Sequence, residues 1–403
     1  MIFLTGATGF LGREVLGRML VASPDETVLV LVRASKEQSA QQRVRTILNE
    51  TFGESLAGKY SERVRVLEGD LSLENFGLGD SAIKDLSNDV NQIFHCAAST
   101  DLGQSLVDAR AANVGGAQRV LRFARECSKS AETPCSLLHV STAYVAGDTD
   151  QVVASSDLCL NRSFRNGYEQ SKAEAEQLVR AASSDLKTCI VRPSMIVGDS
   201  ITGATSAFNV IYIPARYIAS GLFKVLPARA NTPCDLVPVD YVADAVIALA
   251  ESSQESGLCY HLCSGVGRES TLREIVDLVL KTFNEARRRG LSLLQAPQLI
   301  SPDTFSHLYR GGFKNIEEQF SRGLRVLKEI LHLLPYMAAN PRFDMSLTNR
   351  TLEGLVTPAP LFKDYGPLVF NYCLQTNWGK REWTNPDNLQ NWWMRSQFAS
   401  VSA

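Results

Sequence analysis

The 403-residue chain lacks the marks of several large classes of protein. It has no charge imbalance: 41 Lys and Arg stand against 43 Asp and Glu, a formal net charge of −2. That leaves no bulk electrostatic case for binding nucleic acid or an anionic membrane, and no nucleic-acid partner is expected. It has no tight cysteine framework either. Nine cysteines are an odd number, and the closest pair, Cys259 and Cys263, lies in a strand-like run. A zinc site needs clustered Cys and His ligands, which the five histidines do not supply, so no metal is expected. Unpaired core cysteines suit a reducing compartment, and a cytoplasmic location is expected. No window reaches the length of about 18 uncharged apolar residues that a membrane span needs. The nearest, residues 208–226, is broken by Pro214, Arg216, Gly221 and Lys224, and predicts an amphipathic or buried helix. A basic, then apolar, leader is also missing. Met1 runs directly into a strand and a glycine motif, which cleavage would destroy.

What is present is globular. Hydrophobic residues make up 45% and charged residues 21%, which excludes disorder, collagen and coiled coil as the main architecture. At about 150 residues per domain, the length suggests two to three domains, or one large α/β unit with an appendage. The first half alternates short β-branched runs with longer helical patterns. Strands are predicted at residues 1–5, 28–32, 64–68, 92–96, 136–140 and 188–191. Helices are predicted near 11–21, 39–49, 104–127 and 168–182. Repeated βα units require crossovers, hence a parallel sheet covered on both faces. Such a sheet binds ligand beyond the carboxyl ends of its strands, where the strand order reverses.

Gly6, Gly9 and Gly12 occupy the first strand-to-helix turn. One glycine makes a tight turn, one admits a pyrophosphate close to the backbone, and one packs helix on strand. The pyrophosphate then meets free N–H groups at the helix start. Arg33 follows the second strand, where an NAD-selective site has an acidic residue for the ribose 2′-hydroxyl. A basic residue suits a 2′-phosphate instead, and Lys36 and Arg43 lie nearby. Glu26 precedes the strand and is badly placed for the ribose. The expected cofactor is therefore NADPH.

Tyr168 and Lys172 open a strong helical segment at i, i+4 spacing, on one face. A phenol with a pKa of about 10 is a poor acid-base catalyst near neutrality, and a cation one turn away is expected to lower that value. Ser141 and Thr142 end the fifth strand, delivering hydroxyls to the same place. Asn113 lies in the preceding helix. Pro193 and Ser194 follow the next strand, Asp70 and Leu71 the third, and Ala97 and Ala98 the fourth, with small side chains that leave room for a cofactor.

The segments TGATGFLG, LVRAS, GDL, HCAAS, NVGG, HVSTAYVAG, NGYEQSK and RPSMIVG together resemble the extended short-chain dehydrogenase/reductase superfamily. Their detailed wording is similar to its thioester reductase branch. That branch holds fatty acyl-CoA reductases, reductase domains of carboxylic acid reductases, and terminal reductase domains of nonribosomal peptide and polyketide synthases. The resemblance implies a Rossmann-type doubly wound parallel sheet with a smaller, mostly helical substrate-binding region. It implies Thr142, Tyr168 and Lys172 as the catalytic set, Thr142 rather than Ser141 because Ala143 and Gly147 follow it in the family pattern. Ser141 stays a possible second donor. The implied cofactor contacts are Gly6, Thr8, Gly9, Phe10, Leu11 and Gly12 in the phosphate loop and Arg33 and Arg43 at the 2′-phosphate. Asp70 and Leu71 belong at the adenine and Ala97 and Pro193 beside the nicotinamide half, and Ala98, Asn113, Tyr168, Lys172, Ser194 and Ile196 are further cofactor contacts.

The division expected is a cofactor-binding domain over residues 1–200, with later returns near 236–264, and a largely helical substrate region over 201–403. Residues 237–246 begin a helix marked by Asp240, residues 258–263 read as a late strand, and helices are predicted at 272–282 and 316–334. NPRFDMSLTNRTLEGL is similar to a C-terminal segment of acyl-CoA reductases. Trp378, Trp383, Trp392 and Trp393 read as ordinary packing, or as an acyl-channel wall or a carrier-protein docking face. The basic stretch from Lys281 to Arg289 reads as a solvated helix end, or as a contact for a phosphopantetheine or CoA phosphate. His261, His307 and His332 show no pairing that suggests catalysis.

The leading expectation is an NADPH-dependent reductase of an acyl thioester, carried on CoA or on an acyl or peptidyl carrier protein, giving an aldehyde and then an alcohol if a second hydride follows. Its rivals are a superfamily member acting on a sterol, dihydroflavonol-like or nucleotide-sugar substrate, and a cofactor-binding sensor without turnover. A monomer or weak dimer is expected.

Overall fold

A computed structural model describes residues 1–130, 134–221, 224–252, 255–287, 292–304 and 331–381. The first half alternates strand and helix. It runs β1 (Ile2–Thr5), α1 (Phe10–Ala22), β2 (Val28–Val32), α2 (Ala40–Phe52), α3 (Glu54–Ser61), β3 (Val64–Glu68), α4 (Asp80–Asp89), β4 (Gln92–His95), α5 (Leu106–Ser130) and β5 (Ser136–Val140). A short β6 (Val152–Val153) precedes α6 (Gly167–Ala181) and β7 (Lys187–Pro193). Then come β8 (Met195–Val197), α7 (Tyr212–Ala219), β9 (Val225–Pro227), β10 (Pro233–Cys234), β11 (Leu236–Pro238) and α8 (Val239–Ser252). The described chain continues through β12 (Leu258–Leu262), β13 (Ser270–Thr271), α9 (Leu272–Ala286) and β14 (Gln298–Ile300). It closes with helix Leu334–Ala338, strand Arg342–Phe343 and helices Ser346–Thr351 and Phe362–Gln375.

Seven strands form one parallel sheet in the order β12-β7-β5-β4-β1-β2-β3. Every residue of β1 and β2 is buried, as strands covered on both faces must be. One face packs Leu16, Leu20, Val30, Val242 and Val246 under α1, α2 and α8. The other packs Phe3, Ile93, Val120, Phe123 and Ile190 under α4, α5 and α6. The strand order reverses between β1 and β4, whose ends are in register at Thr5 and His95. Thr5 Oγ1 and His95 Nδ1 are 2.8 Å apart there, so the crevice that such a sheet offers a ligand opens at this pair. Local signals set the helix starts. Ser39 with Gln42 and Thr271 with Glu274 make reciprocal capping boxes at α2 and α9.

A third core lies beyond the sheet, where Tyr212, Ile218, Leu236, Ile275, Val279, Phe362 and Phe370 pack together. The described part of this half is mainly helical, in α7, α8, α9 and the helices Leu334–Ala338, Ser346–Thr351 and Phe362–Gln375, and it also holds short strands. Paired short strands (β8 with β11, β9 with β14, β10 with β13) frame it. The helix expected over residues 208–226 is confined to Tyr212–Ala219, because Val210 takes a left-handed φ of 41° just before it and Gly221 one of 71° just after. The helix expected at 316–334 lies outside the described residues, apart from its last few, as do His307, Arg288, Arg289, Trp383, Trp392 and Trp393. Trp378 stacks on Phe283 with ring centroids 5.8 Å apart, which is ordinary core packing. Arg287 ends α9, its N–H donating to the Asn284 carbonyl. Among the described residues no helix is long and apolar enough to cross a membrane, and no cluster of His, Cys, Asp or Glu could hold a metal. All nine cysteines are free.

Candidate active site

The glycine turn is a cradle that no other residue could form. Gly6 has φ of 80°, and a Cβ there would lie 2.6 Å from the Ala97 nitrogen. A Cβ on Gly12 would lie 2.0 Å from the Gly6 carbonyl oxygen, closing the loop against its own helix. Gly9 is the N-cap of α1 and offers no side chain to the first-turn N–H groups. Those donors face the reversal point of the sheet, so the loop fits the diphosphate of a dinucleotide. Thr8, Phe10 and Leu11 complete it, with Thr8 accepting from Arg43 Nη2 at 3.1 Å.

Arg43 Nη1 also donates to the Arg33 carbonyl at 2.6 Å, so α2 ties the phosphate loop to the end of β2. Arg33 itself is mostly exposed, with its guanidinium 3.7 Å from the Asp70 carboxylate. The two positions assigned to the 2′-phosphate and the adenine thus stand side by side. Asp70 is held by its neighbours: Ser72 N–H donates to its carboxylate at 2.8 Å, and its own N–H donates to the Phe76 carbonyl at 2.8 Å. The latter contact requires three successive left-handed residues, Asn75, Phe76 and Gly77. A phenylalanine at φ of 60° is a backbone conformation that L residues rarely adopt. Leu71 packs against the core on that side, and Ala97 N–H donates to Thr5 Oγ1 at 3.3 Å while Ala98 is exposed.

Tyr168 and Lys172 share the inner face of α6, which lies beside the carboxyl end of β5. Lys172 is buried and its Nζ donates to the Val140 carbonyl at 2.7 Å. Burial lowers its pKa to about 8, against the pull of Glu176 and Cys96. Tyr168 departs from expectation. Burial raises its phenol to about 12, hydrogen bonding by Thr142 acts in the opposite direction, and the charge of Glu169 adds to the rise. The phenol is not acidic: burial outweighs the hydrogen bond with Thr142 that lowers its value, and the Lys172 ammonium one turn on donates to the Val140 carbonyl. Thr142 is buried; its hydroxyl accepts from Tyr144 N–H at 3.3 Å and is 3.5 Å from the Pro193 carbonyl.

Ser141 is not a second donor to this cleft. Its hydroxyl turns away and donates to Glu176 Oε2 at 2.8 Å. Glu176 is one turn past Lys172 and makes a buried two-point pair with Arg192, Nε to Oε2 at 3.0 Å and Nη2 to Oε1 at 2.7 Å. Burial would raise the Glu176 pKa, but Arg192, Arg180 and Ser141 outweigh it and hold the carboxyl below its usual range. Asn113 accepts from Ser99 N–H at 2.8 Å and donates to Ser171 Oγ at 2.9 Å, joining α5, α6 and the loop after β4. Ser194 donates to the buried Asp235 at 2.5 Å, and Asp235 also receives Ser264 N–H at 2.8 Å. Ile196 sits in β8, paired with Val237. Glu176 and Asp235 carried no motif spacing; only the burial of their partners reveals them. The residues assigned from the sequence therefore follow the carboxyl ends of β1, β2, β3, β4, β5 and β7, with Arg43 on α2, Asn113 on α5, Tyr168 and Lys172 on α6 and Ile196 in β8.

Comparisons with known proteins bear on the family and the fold. The family described as "Male sterility protein" matches residues 4–246. Probable fatty acyl-CoA reductase 5 of Arabidopsis thaliana is 26% identical, over 90% of this chain and 85% of that protein. Fatty acyl-CoA reductase 2 of Homo sapiens is 27% identical, over 70% of this chain and 61% of its own length. The crystal structure of the terminal R domain from the myxalamid PKS-NRPS biosynthetic pathway superposes with a TM-score of 0.76 at 25% identity, covering 95% of this chain and 92% of that one.

Proposed function

The chain belongs to the Male sterility protein family, and we propose that it is an NADPH-dependent reductase of acyl thioesters, carried on CoA or on a carrier protein. The observation that carries this reading is the meeting of Thr142, Tyr168 and Lys172 where β5 ends beside α6, in line with the glycine cradle at the end of β1. Relatives named as fatty acyl-CoA reductases and a polyketide–peptide reductase domain support the substrate class. Arg33 and Arg43 support NADPH over NADH.

When bound, the reduced nicotinamide supplies a hydride to the thioester carbonyl carbon. Tyr168 and Thr142 hydrogen-bond the carbonyl oxygen as negative charge develops on it. A phenol held near 12 stays protonated at neutral pH, which is the form that donates a proton to a nascent alkoxide. Lys172, fixed to the Val140 carbonyl, lies where it can meet the nicotinamide ribose. The hemithioacetal then breaks its C–S bond, releasing a thiol and an aldehyde, and a second round gives the alcohol. We place the reaction in the cytoplasm, where nine free cysteines stay reduced.

The test is NADPH oxidation by the purified chain against a panel of acyl-CoA and acyl-carrier substrates, with products identified by mass. Tyr168→Phe is expected to lower turnover by about 10²–10⁴-fold while NADPH still binds, as followed by cofactor fluorescence. Activity on a sterol or nucleotide sugar, with none on any thioester, overturns the reading.

A further inference from the structure

The first turn of α6, which carries Tyr168, is held from outside by the C-terminal segment. Asn166 caps the helix, accepting from Glu169 N–H at 3.0 Å. Glu169 in turn receives Arg165 N–H at 3.0 Å and Arg165 Nε at 2.9 Å. Both side chains of this pair are buried, 2% and 0% exposed. A buried carboxylate and guanidinium demand further partners. Here they come from far along the chain. The Tyr336 hydroxyl donates to Glu169 Oε1 at 2.7 Å and accepts from Asn166 Nδ2 at 2.8 Å. Its ring covers the Arg165 guanidinium at 4.2 Å, with the Tyr144 ring at 5.3 Å. Arg165 Nη1 donates to Asn340 Oδ1 at 2.9 Å and to the Ala339 carbonyl at 3.2 Å. One hydroxyl therefore touches the residues on both sides of the Gly167–Tyr168 step. The other side of Tyr336 lines an apolar recess with Met195, Ile218, Ile275, Val279 and Met337. Met195 opens β8, two residues past Pro193 at the end of β7.

We propose that Tyr336 is a positioning residue for Tyr168: its hydroxyl fixes the first turn of α6 through Asn166 and Glu169, and its ring forms a wall of the recess that takes the acyl chain. The second half of this statement rests on the thioester-reductase reading; the first does not. The division predicts a split between the two functions of the side chain. Tyr336→Phe keeps the ring and loses the hydroxyl. Its kcat is expected to fall about tenfold with short and long acyl thioesters alike, with KM for thioester and NADPH within twofold of wild type. The solvent deuterium isotope effect on kcat is expected to rise, because a misplaced phenol makes proton donation slower. Tyr336→Ala loses the ring as well and is expected to raise KM for a long-chain thioester at least tenfold, and for acetyl-CoA little.

Hydrogen exchange of the substrate-free protein tests the first half without any activity. Amides 167–172 are expected to exchange faster in Tyr336→Phe than in wild type, with β1 and β5 amides unchanged. Wild-type exchange at 167–172 overturns the positioning role, and so does an undiminished kcat. A wild-type protein that reduces no thioester overturns the functional reading and the acyl wall with it, and leaves hydrogen exchange to decide the rest. Equal KM changes for long and short chains in Tyr336→Ala overturn the acyl wall alone.

Discussion

At the scale of a single residue, the proposed preference for NADPH turns on Arg33. Its guanidinium is largely in solvent and pairs with the Asp70 carboxylate at 3.7 Å, an exposed contact from which little is given up when a phosphate takes it over. Replacing Arg33 by Ser is expected to raise KM for NADPH about tenfold or more and to leave KM for NADH within about threefold, since charge-assisted bonds to phosphate contribute roughly 1.5–3 kcal/mol. Steady-state kinetics with both cofactors checks this; equal losses with the two would remove Arg33 from the 2′-phosphate. What was legible in the sequence is its place, a basic residue just past the second strand, which the fold sets beside Asp70. The state of Tyr168 was not legible. Spacing puts Lys172 on the same helix face, but only the fold shows that its ammonium is used by the Val140 carbonyl and that burial governs the phenol.

Helix α6 is an element fastened along its length, at its start by Arg165 and Tyr336, and in its middle by Arg192 from β7. The Glu176–Arg192 pair is almost completely buried, and Arg192 Nη2 also donates to the Asp157 carbonyl at 2.9 Å. Removing one partner leaves the other charge buried and uncompensated. Arg192→Met is therefore expected to cost about 3–5 kcal/mol, read as a lower urea midpoint at unchanged slope. The double variant with Glu176→Met should recover a large part of that loss, whereas additive losses would show that the pair does not act as a unit. The element itself was anticipated at residues 168–182 and is found at Gly167–Ala181, because its apolar spacing and its Asn166 cap are local. Its fastenings were hidden because they join residues 16 to 175 positions apart, and no period records such pairings.

For the molecule as a whole, the buried histidines set the acid limit. Burial lowers the pKa of His95 to about 3 and of His261 to about 4, and pushes His139 well below its usual value. In each the folded value lies below that of the unfolded chain. The unfolded state therefore binds more protons below pH 6.5, and stability is lost as the pH falls. His139 is the clearest case, since neither ring nitrogen has a hydrogen-bond partner. His139→Leu is expected to flatten the acid limb by up to about 1.4 kcal/mol per pH unit, measured by urea unfolding between pH 7 and 5. The raised carboxylates, Asp240 at about 6 with Glu14, Glu169 and Asp235, act in the opposite sense in both proteins and cancel in the difference. Parallel curves for the two proteins would contradict it. At this scale the parallel sheet and its binding edge were readable from glycine spacing and β-branched runs, which are dense in the first half. The framing strand pairs of the second half were not, being two or three residues long with no pattern of their own.

The hydroxyl of Tyr336 reaches a carboxylate 167 residues earlier in the chain. On a ribosome adding about 5–20 residues per second, the helix that carries Tyr168 emerges roughly ten to thirty seconds before the residue that steadies it. During that interval the parallel sheet and the glycine cradle can form without it. The first turn of α6 gains this fastening only once residues 334–340 have been made and have docked on it.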